Sequence, residues 1–226
     1  MTAMLASVNS LDEANLVQAV GVGIIDLKQP EQGALGALSL IEVRQIVSAL
    51  DAETRLSATI GDLPMQADLV LAASRAMAET GVDFVKIGFF PGGDWQACIQ
   101  QLASLAAEGV ALIAVLFADS DPDFAVLEAL AAAGFAGAML DTMDKQRGSL
   151  TGIYPTAVLA GFVSRCHELN LLCGLAGSLT AADIQPLLGL KPDYLGFRGA
   201  LCQHHRRTAA LDSGQIVRIR QMVNQG

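Results

Sequence analysis

No apolar run in this chain reaches the length of a membrane-spanning helix, which excludes an α-helical membrane protein. The first residues, Met1-Thr2-Ala3-Met4-Leu5-Ala6-Ser7-Val8, lack the basic region and long apolar core of a signal peptide, so a cytoplasmic protein is expected. Basic charge is scarce: 14 Lys and Arg face 23 Asp and Glu, for a net charge of −9. Nucleic acids and anionic membranes reward basic surfaces, so neither is an expected partner. The four cysteines (Cys98, Cys166, Cys173, Cys202) show no CxxC spacing, which argues against a zinc site or a disulfide framework. His167, His204 and His205 form no metal-ligand pattern, so no metal and no cofactor is expected. Pro/Gly/Ser-rich linkers and low-complexity tracts are missing too. With 226 residues, 52% of them hydrophobic, the chain reads as one domain over 1–226. Its apolar helices leave room for a homo-oligomer.

Lysine is the scarcest charged residue, and the placement of the four matters more than their number. Lys28 ends the run Gly23-Ile24-Ile25-Asp26-Leu27-Lys28. Lys86 lies inside Phe84-Val85-Lys86-Ile87-Gly88-Phe89. Lys145 follows Met139-Leu140-Asp141 by a few residues, and Lys191 alone reads as ordinary surface. An ammonium surrounded by apolar residues needs a partner or a shifted pKa. Such lysines are candidates for amine chemistry on carbonyls.

Eight short, β-branched apolar runs recur: Met4–Val8, Gly23–Lys28, Arg55–Gly61, Phe84–Phe89, Ala111–Ala118, Gly137–Thr142, Leu171–Ser178 and Tyr194–Gly199. Helical periodicity fills the intervals, at Leu11–Val20, Glu42–Leu50, 66–80, 94–108, 122–133, 155–169, 180–189 and 212–223. Ser10, with Glu13 three residues on, suits a capping box; Thr180 and Asp212 suit N-caps; Gly81, Gly109 and Gly134 suit helix ends. The acidic run Asp119–Asp123 is expected to cap the helix at 122–133. Eight alternations of buried strand and helix predict an α/β fold, the (β/α)8 TIM barrel. An open doubly wound sheet is the alternative, but no GxGxxG follows the first strand.

In a barrel of this kind chemistry gathers at the carboxyl ends of the strands. Alternation puts Asp26 and Lys28 on one face of strand 2. It turns Lys86 inward in strand 4 while Val85, Ile87 and Phe89 face the helices. Lys28, Lys86, Asp141 and Arg198 all belong to even strands, so they are expected to converge. Two neighbouring amines lower each other's pKa; a neutral one can attack a carbonyl while the other moves protons. The bland reading is a set of buried ion pairs, Lys28 with Asp26 and Lys145 with Asp141. Gly177 and Ser178 precede a helix start and can cradle a phosphate, with Arg198 and Gly199 adding a guanidinium and close backbone. His204-His205-Arg206-Arg207 reads as solvated loop.

Taken in order, these segments resemble a known family: Ile24–Pro30 with Gly33-Ala34-Leu35-Gly36, Ser57–Asp62, Asp83–Gly88, Met139–Thr142, Leu175–Ser178 and Gly196–Ala200. It is the (5-formylfuran-3-yl)methyl phosphate synthase family, a TIM-barrel lyase of methanofuran biosynthesis, and the likeness spans nearly the whole chain. The resemblance implies condensation of two glyceraldehyde 3-phosphate molecules with loss of phosphate and water. It implies Lys28 as the Schiff-base lysine and Lys86 as a catalytic acid or base. Asp26, Asp141 and Lys145 match further active-site positions, and Gly177, Ser178, Arg198 and Gly199 match the phosphate-binding end. Two other readings stay open: a different lysine-dependent aldolase acting on a triose or sugar phosphate, and a non-catalytic barrel that binds a phosphorylated metabolite.

Overall fold

Each apolar run hydrogen-bonds in parallel to the next, and the eighth pairs back onto the first. The computed structural model, which describes residues 1–225 (Gln146 by its backbone alone), thus holds a closed barrel of eight strands in sequence order. The strands are β1 (Ala3–Val8), β2 (Ile24–Leu27), β3 (Leu56–Thr59), β4 (Phe84–Phe89), β5 (Ala111–Phe117), β6 (Gly137–Asp141), β7 (Leu172–Leu175) and β8 (Tyr194–Phe197). The helices are α1 (Leu11–Val20), α2 (Leu40–Ala49), α3 (Ala67–Ala78), α4 (Trp95–Ala107), α5 (Val126–Ala132), α6 (Leu150–Ile153), α7 (Thr156–Glu168), α8 (Ala181–Leu188) and α9 (Ser213–Val223). The expected (β/α)8 barrel is the observed fold, and closure rules out the open sheet.

Alternation along the strands makes two cores. Val85, Ile87 and Phe89 pack outward with Leu102, Leu112, Leu140 and Leu195 in the main cluster under the helices. The opposite parity fills the barrel: Leu5, Ile24, Ile113, Val115, Phe117, Met139 and Tyr194 form a second cluster. Asp26 and Lys86 share that inward parity and are 0% and 2% exposed. An apolar floor therefore underlies a charged upper layer, which desolvates whatever ionises there.

Helix boundaries follow the caps. Ser39 and Glu42 exchange side-chain-to-backbone bonds, so α2 begins at Leu40, before the start expected from periodicity. Ser10 accepts the Glu13 N–H as expected, but the Glu13 carboxylate accepts the Asn9 N–H and turns toward Arg198. The capping box is thus replaced by a tie to the far end of the chain. The acidic run behaves differently from expectation as well. Asp123 accepts the Ala125 N–H, while Asp119 accepts the N–H groups of Met143 and Asp144 and braces the loop after β6. Asp121 is left-handed (φ 50°), which delays α5 to Val126. Among the described residues no helix is long and apolar enough to cross a membrane.

Candidate active site

The carboxyl ends of the strands surround a cavity of about 490 Å³, within the range that holds small ligands. Lys86 and Asp141 border it from β4 and β6, and Lys28 and Lys145 from the loops that follow β2 and β6. Asp26 lies directly beneath. Its Oδ1 accepts from Lys86 Nζ at 2.9 Å and from Ser57 Oγ at 2.6 Å, and its Oδ2 accepts from Ser7 Oγ at 2.8 Å. Strand pairing produces this cluster, because Ser7 and Ser57 stand in register with Asp26 on either side. One carboxylate thus balances one ammonium, with two hydroxyls completing its coordination.

One layer higher, Asp141 is shared. Lys145 Nζ donates to its Oδ1 at 2.5 Å and Lys28 Nζ lies 3.8 Å from its Oδ2. The Thr142 N–H also donates to Oδ1, at 2.7 Å. The pairing of Lys28 with Asp26 read from sequence is therefore corrected. Two residues along a strand climb about 6.6 Å, so Asp26 and Lys28 occupy successive layers and find different partners. The Lys145–Asp141 pair stands as read, and Lys145 also donates to the Thr142 carbonyl.

This arrangement tunes the amine of Lys28. Burial lowers its pKa most, and the ammoniums of Lys145 and Lys86 lower it further against the opposing fields of Asp141 and Asp26, leaving it at about 7. Burial alone would raise Asp141, but the charges of Lys145 and Lys28 and its two hydrogen bonds hold it at about 2. At neutral pH the site thus offers a half-neutral amine beside a fixed carboxylate. That pairing suits attack on a carbonyl followed by proton transfer.

The opposite wall is backbone. Gly177 has φ 106°, and a Cβ there would stand 2.8 Å from Thr142 Cγ2, so both conformation and space demand glycine. Ser178 follows in the left-handed region (φ 48°), and α8 begins three residues later. Asp183 pins this turn by accepting the Thr180 N–H and hydroxyl at 2.7 Å each and the Thr151 hydroxyl. Ser178, Leu179, Thr180 and Ala181 line the cavity with Gly199, which brings the start of α8 to its wall.

Arg198 departs from expectation. Its five N–H donors go to the Glu13 carboxylate, to Ser7 O, Arg207 O and Ala209 O. The residue borders the cavity but its guanidinium has no donor left for a phosphate, so it does not converge with Lys28, Lys86 and Asp141. It braces the loop after β8 instead. That loop returns Arg207 to the cavity wall, and α9 brings Gln215 and Arg218 beside the start of α8. The reading of His204–Arg207 as solvated loop is corrected at Arg207, which is half-buried. Local pattern gave no sign of this, since the loop's return path is set by Arg198 and Glu13. Arg218 gave no sign either: it is an exposed residue of α9 beside the buried Ile219.

The chain is similar to known proteins over most of its length. The family model described as 4-HFC-P synthase matches residues 4–220. A Methylorubrum extorquens protein, provisionally named (5-formylfuran-3-yl)methyl phosphate synthase, is 43% identical over 213 residues, covering 94% of this chain and 88% of its own length. The Methanocaldococcus jannaschii protein named (5-formylfuran-3-yl)methyl phosphate synthase is 29% identical, covering 88% of this chain and 90% of its own. Among solved structures, phosphoribosyl anthranilate isomerase from Thermus thermophilus superposes with a TM-score of 0.70 at 14% identity, covering 100% of this chain and 99% of that one. A 3-hexulose-6-phosphate synthase gives 0.68 at 17% identity, covering 98% and 100%. These structural likenesses concern the barrel alone. With nearly the whole barrel and both lysine–aspartate layers inside the matched span, the chain belongs to the (5-formylfuran-3-yl)methyl phosphate synthase family, described in short as 4-HFC-P synthases.

Proposed function

We propose that the protein is a carbon–oxygen lyase that condenses two molecules of glyceraldehyde 3-phosphate into (5-formylfuran-3-yl)methyl phosphate, serving methanofuran-type cofactor biosynthesis in the cytoplasm. The observation that carries this reading is the pair of lysines stacked on two aspartates beneath one cavity, in a chain of this family. Lys28 is the nucleophile: its neutral amine adds to the triose aldehyde, and loss of water gives an imine. Asp141 and Lys145 adjoin that nitrogen and move the protons that addition and dehydration require. Lys86, held by Asp26, serves as the second acid or base at the bound carbon chain. The triose phosphate lies against the Gly177, Ser178 and Gly199 backbone, at the start of α8 and beside Arg218. Atom balance over two trioses requires one phosphate and two waters to leave.

The purified chain given glyceraldehyde 3-phosphate alone should yield an ultraviolet-absorbing furan aldehyde and one phosphate for every two trioses. Borohydride should leave a triose on the Lys28 peptide. An aldolase using the same lysines would show the adduct without phosphate release, and a mere binder would show neither; either result would remove the proposal.

The pH dependence has a defined sign. The attacking form is the neutral amine, so imine formation should rise with pH through about 7, the Lys28 value. The Lys145 charge lowers that pKa, so Lys145→Met should move the rising limb to higher pH. Rapid-quench borohydride trapping between pH 5 and 9 measures it. A limb that stays in place or moves to lower pH in the variant rejects the coupling.

A further inference from the structure

We infer that Arg207 holds the phosphate of the second triose, the one that reacts with the imine on Lys28. The inference rests on the two-triose reading above. Two phosphate dianions repel each other, so one cavity wall does not serve both. The backbone wall at Gly177, Ser178 and the start of α8 takes one. A second anion needs a separate cationic contact that the lysine–aspartate layers have not already used.

Arg207 meets that requirement. It enters the cavity wall from the loop after β8 and crosses to the loop after β2, where its Nη2 donates to Gly33 O at 2.8 Å. Lys28 begins that same loop. A guanidinium carries five N–H donors. Arg198 spends all five, and Arg75 and Arg165 are paired with Glu108, Glu128 and Glu168. Among the described residues no carboxylate lies within 4.0 Å of the Arg207 guanidinium, although burial already opposes its charge. The fields of Asp141 and Asp62 favour its charge against that burial. A half-buried arginine with donors to spare, facing a ligand-sized cavity, matches a phosphate monoester, which guanidinium binds in bidentate fashion.

The surroundings hold Arg207 in place before any ligand arrives. Arg198 Nε fixes its carbonyl at 2.8 Å and is itself locked to Glu13. On the other side, Asp62 accepts the N–H groups of Ala34 and Leu35 at 2.8 and 2.6 Å. A Cβ on Gly33 would fall 2.1 Å from Asp62 Oδ2, so only glycine lets the carboxylate come so near the carbonyl that Arg207 grasps. The loop carrying Lys28 and the loop carrying Arg207 are thereby clasped together.

The test separates the two trioses. In Arg207→Gln, borohydride trapping of one triose on Lys28 should stay within about twofold of the parent chain. The glyceraldehyde 3-phosphate concentration for half-maximal furan formation should rise roughly 10- to 100-fold, the range for losing a charge-assisted hydrogen bond. Arg207→Lys, which keeps the charge without the fork, should fall between. Unchanged half-saturation in Arg207→Gln would overturn the inference. So would an equal loss of trapping, which would mean that Arg207 merely supports the Lys28 loop. If the parent chain neither traps a triose at Lys28 nor forms the furan, the two-triose reading fails first and takes this inference with it.

Discussion

Lys28→Arg should lower furan formation by on the order of 10⁴-fold or more, with no triose left on the protein by borohydride. Arginine keeps a positive charge beside Asp141 but cannot form an imine, so charge and nucleophilicity are separated in one substitution. Turnover near the parent level would show that Lys28 is not the nucleophile. Lys28→Met should be equally inactive yet more stable, and its pH dependence carries a sign. The Lys28 amine has a pKa of about 7 in the folded chain and 10.5 when free. Below pH 7 both states hold the proton, and the folded state bears the full cost of a buried ammonium. Between 7 and 10.5 the unfolded chain binds more protons, so stability rises with pH and the cost fades. The gain from Lys28→Met should therefore be a few kcal/mol at pH 6 and vanish by about pH 10.5, the free-amine value. Asp141 stays satisfied by Lys145 and the Thr142 N–H. Urea unfolding at pH 6 and 9 measures the difference. A variant less stable than the parent at pH 6 would mean that the Lys28–Asp141 attraction outweighs burial.

Asp26→Asn should be the most destabilising single change in the barrel. It keeps the side-chain shape but leaves Lys86, 3% exposed at its side chain, as an uncompensated buried cation. Breaking a buried pair by removing one partner costs about 3–5 kcal/mol. The hydroxyls of Ser7 and Ser57 lose their charged acceptor as well. Furan formation should fall by about 10²- to 10⁴-fold, as for loss of a positioned acid or base. Adding Lys86→Met should restore much of the stability and none of the activity, because the stranded charge is gone but so is the proton carrier. Urea midpoints and phosphate release measure both effects. A loss below about 1 kcal/mol in the single variant, the ordinary effect of a point substitution, would mean that Lys86 escapes to solvent.

Strand alternation was enough to read the barrel and to turn Lys86 inward, since both follow from local periodicity. Lys28, Asp141 and Lys145 announced themselves as charges at the ends of apolar strands. The partners did not, because they depend on stagger between strands. Asp26 meets Lys86 from two strands away, and Lys28 meets Asp141 from across the barrel. Ser7 and Ser57 looked like ordinary small strand residues until pairing set them on either side of Asp26. Arg198 and Arg207 stand where sequence did not put them for a related reason. A β8 arginine at the expected rim turned sideways to Glu13, and the loop it braces delivered another arginine to the cavity. Loop trajectories of this kind are fixed by contacts between residues nearly two hundred positions apart, such as Arg198 with Ser7.

The unusual distribution of lysine also governs how the protein weathers its own surroundings. Aldehydes condense with any accessible amine, and sugar phosphates slowly glycate protein surfaces. Here the surface charge is carried by ten arginines, while three of the four lysines lie in the barrel or its mouth. Lys191, exposed in the turn before β8 on the opposite rim, is the single lysine offered to bulk solvent. Under the proposed reaction, in which an aldehyde both enters and leaves, the surface would thus present very little lysine to damage. Mass spectra of trapped adducts should read the active site against an almost blank background.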